Sequence, residues 1–320
     1  MLSFLPGIIR GILSFIMVIL NIIVMCTTLF FAAFLKLVIP FKFWRQRCDT
    51  ILIFISTTWV RNNAFIMKLM LRIKWDVQGV EKLDKNEWYI VISNHQTWVD
   101  ITVLQTIFLG RIPFLKFFLK KELIWVPVLG IAWWALDFPF MKRYSQEFLR
   151  KYPHLKGKDI EITRKACQKF KTKPVSVMNF MEGTRFTKTK KEKQNSPYKH
   201  LLRPKAGGIA FVLSSMGEHL NSLVDVTIAY PEGVRNFWEF MCGKVTHIKV
   251  RVQTRPITQD LLGDYFNDPV YRENFQQWVN GLWEKKDNTM GELLVHNSEF
   301  RPEPFPTAVA SEYPQKACNG

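Results

Sequence analysis

Between Arg10 and Lys36 the chain runs 25 residues without a formal charge, GILSFIMVILNIIVMCTTLFFAAFL. As a helix this stretch is about 37 Å long at ~1.5 Å per residue, enough to cross a ~30 Å hydrocarbon core with some tilt. It is too long for the apolar region of a typical signal peptide, so the expectation is an uncleaved anchor with a transmembrane helix over about 11–35. Lys36, Lys42, Arg45 and Arg47 crowd its C-terminal flank, against Arg10 on the other side. That bias predicts an inner (cytoplasmic) membrane protein with everything after residue 36 in the cytoplasm.

Residues 50–75 are apolar but broken by Arg61, Asn62, Asn63, Lys68 and Arg72. This predicts an amphipathic helix in the headgroup plane, or a second membrane helix, over about 50–72. The organisation expected is a membrane anchor over 1–75, one globular domain over 76–298 and a proline-rich disordered tail over 299–320. The anchor and the following helix would seat that domain on the bilayer, within reach of an insoluble substrate.

The balance of 44 Lys+Arg against 27 Asp+Glu calls for an anionic partner: phospholipid headgroups, a phosphorylated substrate or nucleic acid. The cations are not interleaved with the stacking aromatics of single-strand binders, so no nucleic-acid partner is expected. A membrane-tethered binder of anionic lipid or nucleic acid remains the reading of a different class. The five cysteines are scattered and form no metal-ligand spacing, so neither disulfides nor a metal is expected.

From residue 75 the pattern becomes globular. WDVQGVEKL, WYIVIS, FPFMKR, VSVMNF, LVDVTIAY and KVTHIKVRVQT read as strands. Helices are expected over 98–110, after Pro127, and over 157–171, 206–217 and 269–285, while 112–118 is an ambiguous apolar run. The basic run 186–205 reads as a loop. Strands alternating with helices predict an α/β fold with a largely parallel sheet flanked by helices.

The stretch NHQTWVD, residues 94–100, joins a buried strand to a helix. On one continuous helix His95 and Asp100 would lie roughly 140° apart. They meet if the helix starts between them, with Thr97 as N-cap and His95 in the turn. A carboxylate on one imidazole nitrogen fixes the tautomer and leaves the other as a base, here for a hydroxyl that the substrate itself brings. The alternative is structural: Asp100 as the acid of a capping box and His95 as a buried turn residue.

EGTR, residues 182–185, follows a strand, where open α/β sheets bind ligands. Gly183 permits close approach of the backbone, Thr184 offers a hydroxyl and Arg185 a planar fork for phosphate. Its structural alternative is a turn with an internal Glu182–Arg185 pair. Lys142 and Arg143 end FPFMKR, and Lys120 and Lys121 lie in LKKEL; these extend a phosphate site or face solvent. Lys205 precedes a helix start, which favours an anion. His154, His200, His219 and His247 lack acidic partners at meaningful spacing.

In their order and spacing, NHQTWVD, LKKELIWVPVLG, FPFMKR, NFMEGTR and LLRPKAGG resemble the glycerolipid acyltransferases, the 1-acylglycerol-3-phosphate O-acyltransferases. EGTRFTKTK and the basic loop are similar to the eukaryotic lysophosphatidate and lysocardiolipin branch, and the whole chain to bacterial YihG-type proteins. The resemblance implies the glycerolipid acyltransferase fold and acyl transfer from acyl-CoA or acyl-ACP, as co-substrate without a cofactor, to the sn-2 hydroxyl of a lysophospholipid. That acceptor is lysophosphatidate, or alternatively lysophosphatidylglycerol or lysocardiolipin. It makes His95 the general base, with Asp100 orienting it. Asn94, Lys120, Lys121, Arg143, Glu182, Gly183, Thr184 and Arg185 are implied to bind substrate. Met181 stands where the family commonly has Pro, and VTIAYP departs from its Val/Pro-rich fourth block.

Overall fold

The computed structural model describes residues 2–117, 119–138, 140–141 and 174–295. The helix expected over 157–171, the tail over 299–320, and Lys142 and Arg143 lie outside the described residues, as do the side chains of Lys120 and Lys121. In chain order the elements are α1 (Gly7–Val38), α2 (Lys42–Met70), β1 (Lys74–Gln78), β2 (Tyr89–Ser93), α3 (Val99–Phe108), β3 (Leu115–Phe117), β4 (Leu119–Lys120), α4 (Leu129–Ala135) and β5 (Phe140–Met141). There follow β6 (Ser176–Phe180), α5 (Lys188–Lys193), α6 (Ala206–Met216), β7 (Ser222–Ala229), α7 (Phe237–Met241), β8 (His247–Pro256) and α8 (Pro269–Leu294).

Six strands form one sheet in the order β1-β8-β7-β2-β6-β3, parallel throughout except for the antiparallel β7–β8 pair. All five residues of β2 are buried, which the unbroken apolar run YIVIS requires of a central strand covered on both faces. Tyr89 and Val91 enter a core shared with α2 and α3, while Ile90 and Ile92 enter one shared with α6 and α8. The strand expected to continue through VEKL stops at Gly79, whose φ is +90°. A Cβ there would sit 1.9 Å from the Val252 carbonyl oxygen, so only glycine lets β1 turn away beside β8.

The ambiguous run 112–118 resolves into the edge strand β3, and LKKEL into β4 and a 3₁₀ turn. β4 pairs with β5, setting Lys120 opposite Met141. The basic run 186–205 is ordered rather than a plain loop. Thr187 accepts from Lys190 N to cap α5, and Lys190 Nζ reaches back to Thr184 Oγ1 at 2.7 Å.

α1 and α2 form an antiparallel hairpin. Asn21 Nδ2 donates to Asn63 Oδ1 and Trp59 O, Asn62 Nδ2 donates to Asn21 Oδ1, and Leu2 N donates to Leu69 O. Of the polar residues that interrupt 50–72, Asn62 and Asn63 therefore bond to α1, because an amide buried between helices must find a partner. α1 is 32 residues long and apolar enough to cross a membrane by length and composition. Both of its ends nevertheless touch the globular body: Arg10 Nη2 donates to Cys242 O, and the C-terminal half packs on α4. The helix runs along the body rather than away from it. Its flanking charges therefore do not by themselves assign a side of the bilayer. Ile8, Ile12, Phe15, Ile19, Ile23 and Phe31 form part of its exposed apolar surface.

On the opposite side α8 is tied to the sheet by a buried cation. Lys286 Nζ bonds Asp225 Oδ1 and the Val226 carbonyl. Removing one member of such a pair strands the other charge. Lys286→Ala is expected to destabilise the fold by roughly 3–5 kcal/mol. Lys286→Met combined with Asp225→Leu should recover most of that loss in thermal unfolding of the detergent-solubilised chain.

Candidate active site

The carboxyl ends of β2, β6 and β7 come together at residues 94–98, the turn from β2 into α3. Asn94 extends the ladder past the end of β2. Its Nδ2 donates to Ile228 O and its Oδ1 accepts from Ile228 N, both at 2.9 Å. His95 follows, held at four points. Its Nδ1 lies 2.9 Å from Asp100 Oδ2, its N donates to Glu182 Oε2 at 3.1 Å, its carbonyl accepts from Phe186 N at 2.7 Å, and its ring stacks on Phe180 at 3.9 Å.

Asp100 is fully buried and its carboxylate is saturated. Oδ2 also accepts from Gln96 N at 2.6 Å and Thr97 N at 2.9 Å, and Oδ1 accepts from Tyr230 Oη at 2.7 Å. A carboxylate only accepts, so its bond to the imidazole puts the proton on Nδ1 and leaves Nε2 as the basic nitrogen. The His95 side chain keeps 12% of its surface exposed, enough to meet a substrate.

The capping box expected here forms only in half. Asp100 reaches back to Thr97 N, but the Thr97 hydroxyl donates to Arg235 O at 2.8 Å, and α3 starts at Val99 without a side-chain cap. The tight turn that lets Asp100 collect three donors pulls Thr97 out of capping position.

Two residues assigned to substrate face inward instead. Asn94 is fully buried and spent on β7. Glu182 is fully buried, takes one backbone N–H on each oxygen, from His95 and from Leu202, and forms no pair with Arg185. Neither has an exposed surface here, and each hydrogen-bonds neighbouring backbone from the interior. Burial pushes the Glu182 carboxyl up to about 8, against the pull of those two N–H groups.

Gly183, at φ +67°, turns the chain outward so that Arg185 is exposed, its guanidinium 4.7 Å above the Trp98 ring. This stacking holds the planar fork open toward solvent beside the dyad turn. Thr184 Oγ1 accepts from Lys190, and the helix start at Ala206 lies next to Gly183 through Lys205. The structure thus brings His95, Asp100, Gly183, Thr184 and Arg185 together. It sets Lys120 opposite Met141 by backbone pairing alone.

Sequence reasoning missed Tyr230, Phe180 and Lys190. Burial and the adjacent Asp100 charge hold the Tyr230 hydroxyl protonated far above its ordinary range, so it serves as a fixed donor. No spacing rule links residues 230 and 100; the β2–β7 pairing does. His247, read as lacking an acidic partner, meets Glu232 at the start of β8. Among the described residues no cluster of His, Cys, Asp or Glu could hold a metal. A cavity of about 620 Å³ adjoins the dyad, with Gln96, Phe186 and Tyr230 in its wall.

Residues 74–231 match the family model named Acyltransferase. The chain is 22% identical over 249 residues to lysocardiolipin acyltransferase 1 of Danio rerio, covering 74% of this chain and 60% of that one. It is 25% identical over 247 residues to human 1-acyl-sn-glycerol-3-phosphate acyltransferase gamma, covering 73% and 60%. The crystal structure of the 1-acyl-sn-glycerophosphate acyltransferase of Thermotoga maritima shares the fold at a TM-score of 0.52 and 17% identity, over 90% of this chain and 98% of that one. The chain spans at most about three fifths of the length of these two curated relatives.

Glu182→Gln keeps the shape but turns an NH₂ group toward one of two buried backbone N–H groups. It should cost roughly 1–3 kcal/mol. The native Glu182 keeps its proton up to about 8, whereas an ordinary carboxyl releases it near 4.5. Over that interval the folded state binds the extra proton, so stability falls as pH rises from 4.5 toward 8. Melting temperatures across that range should show this slope in the wild type and its loss in Glu182→Gln.

Proposed function

With residues 74–231 an acyltransferase-family domain, we propose that the chain is an O-acyltransferase acting on a lysophospholipid. It transfers the acyl group of a thioester, acyl-CoA or acyl-ACP, to the sn-2 hydroxyl of 1-acyl-sn-glycerol 3-phosphate, making phosphatidic acid. The observation that carries this reading is the His95–Asp100 pair: a partly exposed imidazole whose Nδ1 is held at 2.9 Å by a fully buried carboxylate.

In this mechanism Nε2 takes the proton of the acceptor hydroxyl as its oxygen attacks the thioester carbonyl. A new C–O bond forms. The tetrahedral intermediate then collapses, the C–S bond breaks, and the imidazolium returns its proton to the departing sulfur. Asp100 stabilises the imidazolium between the two transfers. No enzyme nucleophile is needed, since the acceptor brings its own and the site contributes orientation.

Arg185 binds the acceptor phosphate, with Gly183 and Thr184 lining its approach. Lys120, Lys121 and Arg143 supply further positive charge to the acceptor phosphate in this proposal. The exposed apolar surface of α1 supports seating on a membrane; the cytoplasmic membrane, with the site open to the cytoplasm, is part of the same proposal. Membership of the YihG-type group belongs to the same proposal. The likeness to a lysocardiolipin acyltransferase supports lysocardiolipin as a second acceptor, which a panel of lysolipids offered to the purified chain separates from lysophosphatidate.

His95→Ala should abolish transfer, with kcat lower by at least about 10³-fold, while circular dichroism and membrane association stay intact. Near-wild-type turnover in that variant would sink the mechanism. Arg185→Ala should lower kcat/KM for lysophosphatidate by roughly tenfold or more, through a lost charge-assisted pair. An acceptor without phosphate should lose little; an equal loss would make Arg185 structural.

A further inference from the structure

The cavity beside the dyad is not needed to hold the acceptor phosphate, since neither Arg185 nor Trp98 lines it. It adjoins the turn that carries the catalytic pair through residues flanking His95 and Asp100. Gln96 and Tyr230, both in its wall, bond Asp100, and Phe186, also in its wall, bonds the His95 carbonyl. Whatever fills it lies against the residues that hold the base in place. Its volume of about 620 Å³ falls in the range of small-molecule and cofactor sites.

The wall chemistry is one-sided. Among its described lining residues are Lys188, Lys191 and Lys199, against Glu192 as the acid. Lys191 Nζ is engaged by the Lys199 carbonyl at 2.9 Å, which fixes the loop and leaves the exposed Lys188 and Lys199 as the cations for a ligand. Gln96 adds an independent signal: its Oε1 is buried without a hydrogen-bond partner. A buried acceptor left open calls for a donor such as an amide N–H. The occupant so described is anionic at one end and carries amide N–H groups toward the base.

We infer that this cavity holds the phosphorylated pantetheine carrier of the acyl donor, its phosphate on Lys188 and Lys199 and an amide of its arm on Gln96. Lysophosphatidate has a phosphate but no amide, and the surface around Arg185 already suits it. Coenzyme A and acyl carrier protein share the phosphopantetheine arm, so the assignment names their common chemistry. It rests on the acyl-transfer reading above. It adds that acceptor and donor anions are held by different cations, Arg185 for the one and Lys188 with Lys199 for the other.

The test uses the purified full chain in lipid–detergent micelles with lysophosphatidate as acceptor. Four donors carrying one acyl group are compared: acyl-CoA, acyl-ACP, acyl-4′-phosphopantetheine and the phosphate-free acyl-N-acetylcysteamine thioester. In the double variant Lys188→Ala/Lys199→Ala, KM for the phosphorylated donors should rise on the order of tenfold. The rate with acyl-N-acetylcysteamine and KM for lysophosphatidate should not move. A rise confined to acyl-CoA, or to acyl-ACP, with acyl-4′-phosphopantetheine unmoved, overturns the assignment, because the phosphate that all three share would then not be what the lysines read. Unchanged donor KM values, or a rise in acceptor KM instead, overturn the assignment while wild-type turnover leaves the reaction standing. No turnover by the wild type with any donor overturns the reaction itself.

Discussion

The Asp100 carboxylate is the interaction on which the site depends. It is fully buried and accepts from His95 Nδ1, Gln96 N, Thr97 N and Tyr230 Oη. A buried charge is costly unless each lone pair finds a donor. Here the donors are the turn that presents the histidine and a tyrosine from the neighbouring strand. The same bonds that make the charge tolerable thus fix the imidazole tautomer and tie the turn to β7. A structural and a catalytic role for Asp100 are one arrangement, since the acid that caps half of the turn also holds the base.

Around this centre the sheet works as an alignment device. Parallel pairing ends β2 and β6 at one level, with β7 running three residues further, so residues 94–95, 181–185 and 230 converge although they are far apart in the chain. Glu182 closes the arrangement by bonding His95 N and Leu202 N from the interior. Trp283 Nε1 donates to Leu202 O, and Lys286 grips the Val226 carbonyl, so α8 braces the rear of the site from a distance in sequence. The acceptor surface at Arg185 and the donor cavity both adjoin this braced turn.

Much of the fold was legible because its signals are local. The run YIVIS announced a doubly covered strand, and the helices at 206 and 269 began within a residue of their expected starts. His95 and Asp100 were readable as a pair because only five residues separate them. The inward orientation of Asn94 and Glu182 was not legible because burial is not a property of a four-residue motif. Either side chain could have faced a ligand until β7 and Leu202 were placed against it. Tyr230 was missed for the same reason, its partner lying across a strand pairing.

The membrane segment divides in the same way. By itself the sequence determined that residues 11–35 form a long apolar helix, that an α/β domain follows, and that a histidine and an aspartate share a strand-to-helix turn. Apolar periodicity and chain geometry act over a few residues and leave their mark in order. Only the tertiary structure decided that α1 lies along the body with α2 folded back on it through Asn21, Asn62 and Asn63. It alone decided which polar side chains turn inward to hold His95 and which, like Arg185, remain at the surface. Those outcomes depend on burial and hydrogen-bond satisfaction between residues tens to hundreds of positions apart, and no local pattern encodes them.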